Sequence, residues 1–427
     1  MEALDTLSMA PPGSMSLATQ VGGHGGVMSD ASGSIVMKPA TTREIAFYQL
    51  LSSAPNPARP TASSTINPSD VQQGPTTKYD RLLQRQLLGE LKRFLPRFYG
   101  TLRLEGQVGK EGGVTPVGET PESIVLQNLS APYVRPCILD IKLGTVLYDR
   151  DASEEKKARM EKRAKEGTSF ETGVRMTGFQ NWDPVSKEMI VTDKAYGYAL
   201  TVDRLPEGFA KFFPLPGQNQ TDDRAEPARA VQSEEAEPVV QEGQVPVEAG
   251  SSSADSTNIT HATTSSSSTE AYKHSLVRVL RALHRSISDL YALLDRLEIR
   301  FIGASLLIVY EGDPEALETA WKIVDEEEKK DGSTGFGLLD KVPPRRRRAN
   351  DGAPDHDHER DDTDDDEDND ADEEEDETRP RPFTARIIDF AHTRLVHGEG
   401  KDVGFLKGLE TVLRLIEGRL NELESSR

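Results

Sequence analysis

The nine residues PCILDIKLG, Pro136 to Gly144, set a carboxylate and an ammonium two positions apart in an otherwise apolar run. Side chains of an extended strand alternate between faces, so Asp140 and Lys142 project to one side, against the background of Ile138, Leu139, Ile141 and Leu143. Such a pair is either a structural ion pair at a strand end or a place where chemistry is done. Three further groups bear on that choice. Lys38 sits near the end of the strand-like GSIVMKP, Glu44 lies on the helix expected next, and Asp389 ends the strand-like ARIIDF. A fourth is a helix over Ser153 to about Lys165 that sets Lys156, Arg159 and Arg163 on one face, with Lys162 beside them. Alone, that face reads as merely solvated; a short connection from Asp140 and Lys142 makes it an anion clamp.

Phosphoryl transfer from ATP needs these parts: a lysine on the phosphates, a carboxylate for magnesium, a group that positions the attacking hydroxyl, and positive charge around the transferring group. No GxxxxGK[ST] segment occurs, so a P-loop is excluded.

The elements that must position these residues are legible from pattern. The glycine-rich QVGGHGG and GSIVMKP predict a hairpin over 20–38, and TTREIAFYQLL predicts a helix capped by Thr41 or Thr42, with Ile45, Tyr48 and Leu51 at helical spacing. Residues 53–75 read as a loop, 79–95 as a helix, and 98–104 and 123–129 as strands. Strand-like GVRMTGF (173–179) and the lysine-bearing KAYGYALT (194–201) follow. A long amphipathic helix is expected over 271–299, whose stripe of Leu276, Val279, Leu280, Leu283, Ile287, Leu290 and Leu294 is core. A buried strand over 301–313, a helix over 314–330, a strand over 385–393 and a closing amphipathic helix over 404–420 complete the pattern.

Composition separates the folding part from the rest. Hydrophobic residues make up 35% of 427 and the mean hydropathy is −0.56, which points to long polar insertions. Residues 216–270 are rich in Gln, Glu, Ser, Thr and Ala. Residues 331–381 hold Arg345 to Arg348 and then, from Asp351 to Glu377, 18 acidic residues against Arg360 alone, so this window carries −17 of the net −21. Both are expected to be disordered, as is a leader over 1–19. What remains is roughly 270–300 residues, enough for one two-lobed catalytic unit. The single cysteine, Cys137, excludes an internal disulfide and suits a reducing compartment, where it is expected to be a buried, inert thiol. No basic stretch followed by an apolar one opens the chain, and the longest apolar run, Phe301 to Tyr310, falls short of the ~20 residues that span a bilayer. The chain is expected to be soluble and intracellular, without membrane insertion.

PCILDIKLG matches the PxxxDxKxG signature of the inositol polyphosphate kinase family, SLLIVYEGD (305–313) resembles its SLL segment, and RIIDFAHT resembles its IDF segment. QVGGH, FLPRFYGT and GFLKGLETVL match further in the family's order, so the resemblance covers all but the leader and the two insertions. LDIKLGTVLYD, IDFAHT and the long acidic insertion before it are most similar to the fungal multikinase branch. DASEEKKAR (151–159) also resembles the hexakisphosphate kinases, which remain the alternative.

The resemblance implies an α+β, two-lobed fold of the protein-kinase and ATP-grasp kind, with ATP between the lobes. It divides the chain into an N-lobe and hinge (20–130) and a C-lobe in three parts (131–215, 271–330 and 382–427), with the inositol-binding helix in the first. It implies ATP and Mg2+ as cofactors and inositol polyphosphates as substrates. Asp140 would orient the attacking hydroxyl, and Lys142 would bridge the γ-phosphate and substrate. Lys38, with Glu44, would hold the α- and β-phosphates, and Asp389 would ligate magnesium, with the Ser305 hydroxyl behind it. Gln127, Asn128 and Leu129 would read adenine through the backbone at the hinge. Lys156, Arg159, Arg163 and His392 would grip the inositol phosphates.

The chain departs from the family pattern at three places: Gln127 stands where glutamate is common, Ala304 and Ser305 replace SS, and the KxxGR segment appears as Lys194 to Tyr198, with tyrosine in place of arginine. The acidic run is expected to bind basic nuclear proteins or to serve only as a solvated linker, Arg345 to Arg348 to act as a nuclear import signal or as charge balance, and the chain to occupy nucleus and cytoplasm. Direct contact with nucleic acid is not expected beside so many acids.

Overall fold

A computed structural model describes residues 15–16, 27–56, 78–103, 106–108, 114–116, 122–215, 262–331 and 379–425. The acidic run, Arg345 to Arg348, most of the loop expected over 53–75 and all but the last nine residues of the insertion expected over 216–270 lie outside them.

The architecture is α+β in two lobes, each built on one five-stranded antiparallel sheet. In the N-lobe, β1 (Met15–Ser16), β2 (Met28–Ser29), β3 (Ile35–Pro39), β4 (Phe98–Leu102) and β7 (Ser123–Gln127) lie in the order β1-β2-β3-β7-β4, and Lys38 on β3 stands opposite Ile124 on β7. Helix α1 (Thr42–Ser53) follows β3 directly. The Thr41 hydroxyl accepts from the Glu44 amide, and Glu44 in the first turn suits the positive helix end. Helix α2 (Lys78–Leu91) buries Leu87, Leu88 and Leu91 in the core, and β5 (Gly106–Val108) and β6 (Val114–Pro116) form a separate hairpin.

The C-lobe sheet has the order β10-β9-β8-β12-β13, from β8 (Pro136–Leu143), β9 (Val174–Asp183), β10 (Glu188–Thr192), β12 (Ser305–Glu311) and β13 (Phe383–Ile388). PCILDIKL is its middle strand, covered on both faces, which explains the nearly continuous apolar run. Between β8 and β9 stand α3 (Glu154–Glu166) and the single turn α4 (Ser169–Thr172), and beyond β10 come α5 (Lys194–Ala199) and α6 (Leu205–Phe212). Helix α7 (Ala262–Leu294) is followed by the short β11 (Ile299–Arg300), which pairs with β14 (Arg394–Leu395). Helix α8 (Pro314–Asp331) follows β12, and α9 (Val403–Ser425) closes the chain antiparallel to α7. Tyr291 donates to Glu410, His284 meets Glu417 and Arg281 meets Glu424.

Three expectations change. Met15–Ser16, inside the expected leader, pairs with Met28–Ser29; an edge strand of two residues leaves no alternation to read. Helix α7 begins nine residues before 271, because a helix stabilised by its apolar stripe extends into polar neighbours at little cost per residue. It also ends at Leu294, and strand pairing claims Ile299. Burial pushes the Cys137 thiol up to about 12, so it is inert at neutral pH. No helix among the described residues is long and apolar enough to cross a membrane.

Helix α9 reaches the sheet through a glycine contact. Gly173, left-handed at φ 69°, ends α4, and a Cβ on Gly408 would lie 2.5 Å from the Gly173 carbonyl oxygen. Gly418, on the exposed side of the same helix, has nothing within 4 Å of its would-be Cβ. We predict that Gly408→Ala lowers unfolding free energy by about 1–3 kcal/mol through forced separation, whereas Gly418→Ala raises it by up to about 1 kcal/mol through helix propensity. Urea unfolding of both variants checks this; equal effects would refute the close approach.

Candidate active site

Strand β13 ends at Ile388, and Asp389 turns the chain with φ 68°, a left-handed conformation uncommon for a residue other than glycine. That turn puts its carboxylate between two lysines from different sheets. Lys38 Nζ donates to Oδ1 at 2.8 Å and Lys142 Nζ to Oδ2 at 2.6 Å. Lys38 also donates to Glu44 Oε1 at 2.9 Å, and the same oxygen accepts from the Phe390 amide at 3.2 Å. The Phe390 ring is buried against Phe47 and Tyr48 of α1, with centroids 4.8 and 5.4 Å away. Burial alone would raise the Asp389 carboxyl, but the Lys142 and Lys38 ammoniums override it and hold it at about 2. Burial opposes the Lys38 charge too, yet Asp389 and Glu44 raise its pKa.

Asp140 is only 2% exposed, and burial raises its pKa; Lys142 and Ser305 oppose that rise without cancelling it. Lys142 gives its ammonium to Asp389 and to the Gly303 carbonyl, at 3.1 Å, so it is not spent on an ion pair with Asp140. Asp140 Oδ1 and Ser305 Oγ are buried without a partner in hydrogen-bond geometry; the hydroxyl polarises the carboxylate without completing a bond to it. A bulge supports this point. Asp140 pairs with Gly178 and Ile141 with Met176, which leaves Thr177 extra, and its hydroxyl donates to the Asp140 carbonyl at 3.1 Å.

The strand register continues this face. Ser305 stands opposite Lys142, Leu307 opposite Asp140 and Val309 opposite Ile138. Ile138, Val309 and Tyr133, with the partly buried Leu307 packed on them, form an apolar cluster separate from the main core, a floor beside the charged groups. Sequence reading missed this floor, although the alternation in SLLIVYE carries it. At the hinge, the Gln127 amide already donates to the Arg97 carbonyl at 2.9 Å and the Asn128 amide to Ser34 at 2.7 Å. The Asn128 side chain donates to the Gly33 carbonyl. Both amides are thus satisfied within the fold.

Helix α3, capped by Ser153, turns Lys157, Met160 and Ala164 inward and leaves Lys156, Arg159 and Arg163 exposed. The Arg163 guanidinium lies over the Tyr198 ring at 5.4 Å, and so does that of Arg175, at 5.5 Å. Arg175 was not anticipated; it stands opposite Lys142 in register, a cation in the otherwise uncharged GVRMTGF. It links the basic helix to the catalytic strand. Lys156 lies two turns from Arg163, ~10 Å along the axis. His392 Nδ1 is 3.7 Å from Asp149 Oδ2, a buried carboxylate that also pairs with Arg43 of α1 and Arg394 of β14, residues that sequence reading did not single out.

Among the described residues no group of three or more His, Cys, Asp and Glu side chains could cage a metal. The site suits Mg2+ nonetheless, because that ion commonly takes one or two carboxylates and completes its shell with phosphates and water. Asp389, kept ionised, would be that carboxylate, and the Ser305 hydroxyl, without a hydrogen-bond partner, lies on the same face.

The family described as inositol polyphosphate kinase matches residues 123–253 and 250–417. Inositol hexakisphosphate kinase 3 of Mus musculus is 40% identical over 89 residues, which span 21% of this chain and 22% of the mouse protein. The inositol polyphosphate multikinase of Saccharomyces cerevisiae is 23% identical over 424 residues, 93% of this chain and 96% of that one. A solved structure, the S. cerevisiae inositol phosphate multikinase Ipk2 in complex with ADP and Mn2+, shares 18% identity at a TM-score of 0.47 and covers 90% of this chain and 98% of its own. The family match takes in both PCILDIKLG and RIIDFAHT: the chain belongs to the inositol polyphosphate kinase family.

Proposed function

We propose that this chain transfers the γ-phosphoryl group of ATP to hydroxyls of inositol tris- and tetrakisphosphates. The observation that carries the reading is the meeting of Lys38 and Lys142 on Asp389, beside a buried Asp140 that neither lysine neutralises by contact. Lys38, fixed by Glu44, holds the α- and β-phosphates. Adenine rests on the floor of Ile138, Leu307 and Val309. Asp389 would hold magnesium, which would supply charge neutralisation for the phosphates. Lys142 lies between γ-phosphate and acceptor, and Asp140 orients the attacking hydroxyl and takes its proton. A buried carboxyl with a raised pKa suits that task better than an exposed one. Lys156, Arg159, Arg163 and Arg175 grip the phosphates of the acceptor, where charge-assisted contacts fix orientation as well as adding affinity.

The 40% identity to a hexakisphosphate kinase favours a second reading, pyrophosphate formation on the hexakisphosphate. Assays of each substrate, following product phosphate number, separate the two; turnover of the hexakisphosphate alone would exclude the first.

From charge pattern we infer further that the acidic run binds basic nuclear proteins and that the chain works in nucleus and cytoplasm. Arg379 pairs with Glu327 of α8, so the described chain on the two sides of residues 332–378 comes together there.

Two predictions follow from these roles. Asp140→Asn lowers kcat by about 10²–10⁴-fold with little change in KM for ATP. Because burial raises the Asp140 pKa and the base must be ionised, wild-type kcat/KM falls as pH drops through that pKa, and the acid limb disappears in the variant; survival of full activity in both Asp140→Asn and Lys142→Ala would overturn the mechanism. Deletion of residues 351–377 keeps kcat within about twofold, since loops leaving and returning at one place tolerate length change. A larger loss in steady-state assays would make the run part of the enzyme.

A further inference from the structure

Two guanidiniums that repel each other share one aromatic ring. Arg163 reaches the Tyr198 ring from α3 and Arg175 from β9, at 5.4 and 5.5 Å from its centroid. Burial disfavours the Arg175 charge and the neighbouring Arg163 disfavours it further, while Tyr198 and Asp140 favour it. Nε of Arg175 is buried without a hydrogen-bond partner, a donor left over in a place already short of solvent. An unsatisfied cationic donor beside a second guanidinium is a half-built anion site. Tyr198 itself is 48% exposed, so its ring is not held there as core.

We propose that Tyr198 is a positioning residue that holds Arg163 and Arg175 together as a single phosphate-binding fork, and that it thereby sets the preference of this site for less phosphorylated inositol rings. The inference rests on the function proposed above and adds a residue the reaction does not touch. The ring attracts both cations through its face, which offsets their repulsion and removes rotamer freedom that substrate would otherwise have to freeze out. It does so without adding charge. An arginine at 198, as in the KxxGR pattern from which this chain departs, would bring a third cation to the same place and suit a ring carrying more phosphates. With tyrosine there, two cations face one phosphate, and further phosphates meet an uncharged, half-exposed ring.

The experiment uses the full chain and reads both turnover and calorimetric affinity for inositol trisphosphate and hexakisphosphate. Tyr198→Ala is expected to raise KM and Kd for the trisphosphate by about tenfold, with KM for ATP and kcat changed far less. Tyr198→Phe, which keeps the ring, recovers wild-type affinity. Tyr198→Leu, which keeps bulk without a π face, weakens binding like alanine and carries the test if the alanine variant does not fold. Tyr198→Arg shifts the affinity ratio toward the hexakisphosphate by about tenfold, one added charge-assisted contact. Wild-type affinity in the alanine and leucine variants, or phenylalanine as weak as alanine, would overturn the inference. A wild-type chain that binds inositol phosphates but transfers nothing would overturn the proposed function alone, since the affinities still report on Tyr198.

Discussion

The carboxylate of Asp389 is where the two lobes meet. One oxygen is held by a lysine of the N-lobe sheet and the other by a lysine of the C-lobe sheet, and the next residue, Phe390, is buried against α1. Glu44 closes the circuit by accepting from both Lys38 and the Phe390 amide. The same few atoms therefore position the two lysines and fasten one lobe to the other. The left-handed turn at Asp389 is tolerated because these contacts over-determine it, as expected of strain stored at a functional site.

Two carboxylates of one sheet, with β12 standing between their strands, are driven in opposite directions. Asp140 is buried and Asp389 partly buried, and burial raises both, but only Asp389 has ammoniums in direct contact. It stays ionised and suits a cation. Asp140, left with an unbonded oxygen, keeps a raised pKa and suits a proton. Pairs of titratable groups whose surroundings separate their pKa values commonly divide the roles of acid, base and electrostatic stabiliser.

The apolar floor and the basic wall extend this arrangement along two directions of one sheet face. Leu307 and Val309 continue it toward the hinge, and Arg175 continues it toward α3. The bulge at Thr177 lies between them and shifts β9 by one residue relative to β8, so Arg175 stands opposite Lys142 rather than opposite Leu143.

Much of this was legible in the chain alone. Asp140 and Lys142 on one face of a strand, the cap and first-turn glutamate of α1, the strand ending in Asp389 and the α3 basic face follow from periods of two and of about three and a half, which are local properties of backbone geometry. The α+β class came from the resemblance that PCILDIKLG, SLLIVYEGD and RIIDFAHT carry. Local pattern did not determine which charges meet. Lys142 shares a strand face with Asp140, yet its ammonium goes to Asp389, 247 residues away. Arg175, Tyr198, Asp149 and the floor around Leu307 acquire their roles from strand register and from helix packing, and the occupied amides of Gln127 and Asn128 from pairing with distant strands. Sequence determines which side chains share a face, because that depends on neighbours a few residues apart. Only the tertiary structure decides which faces are brought together, and hence which charges are desolvated and which are paired.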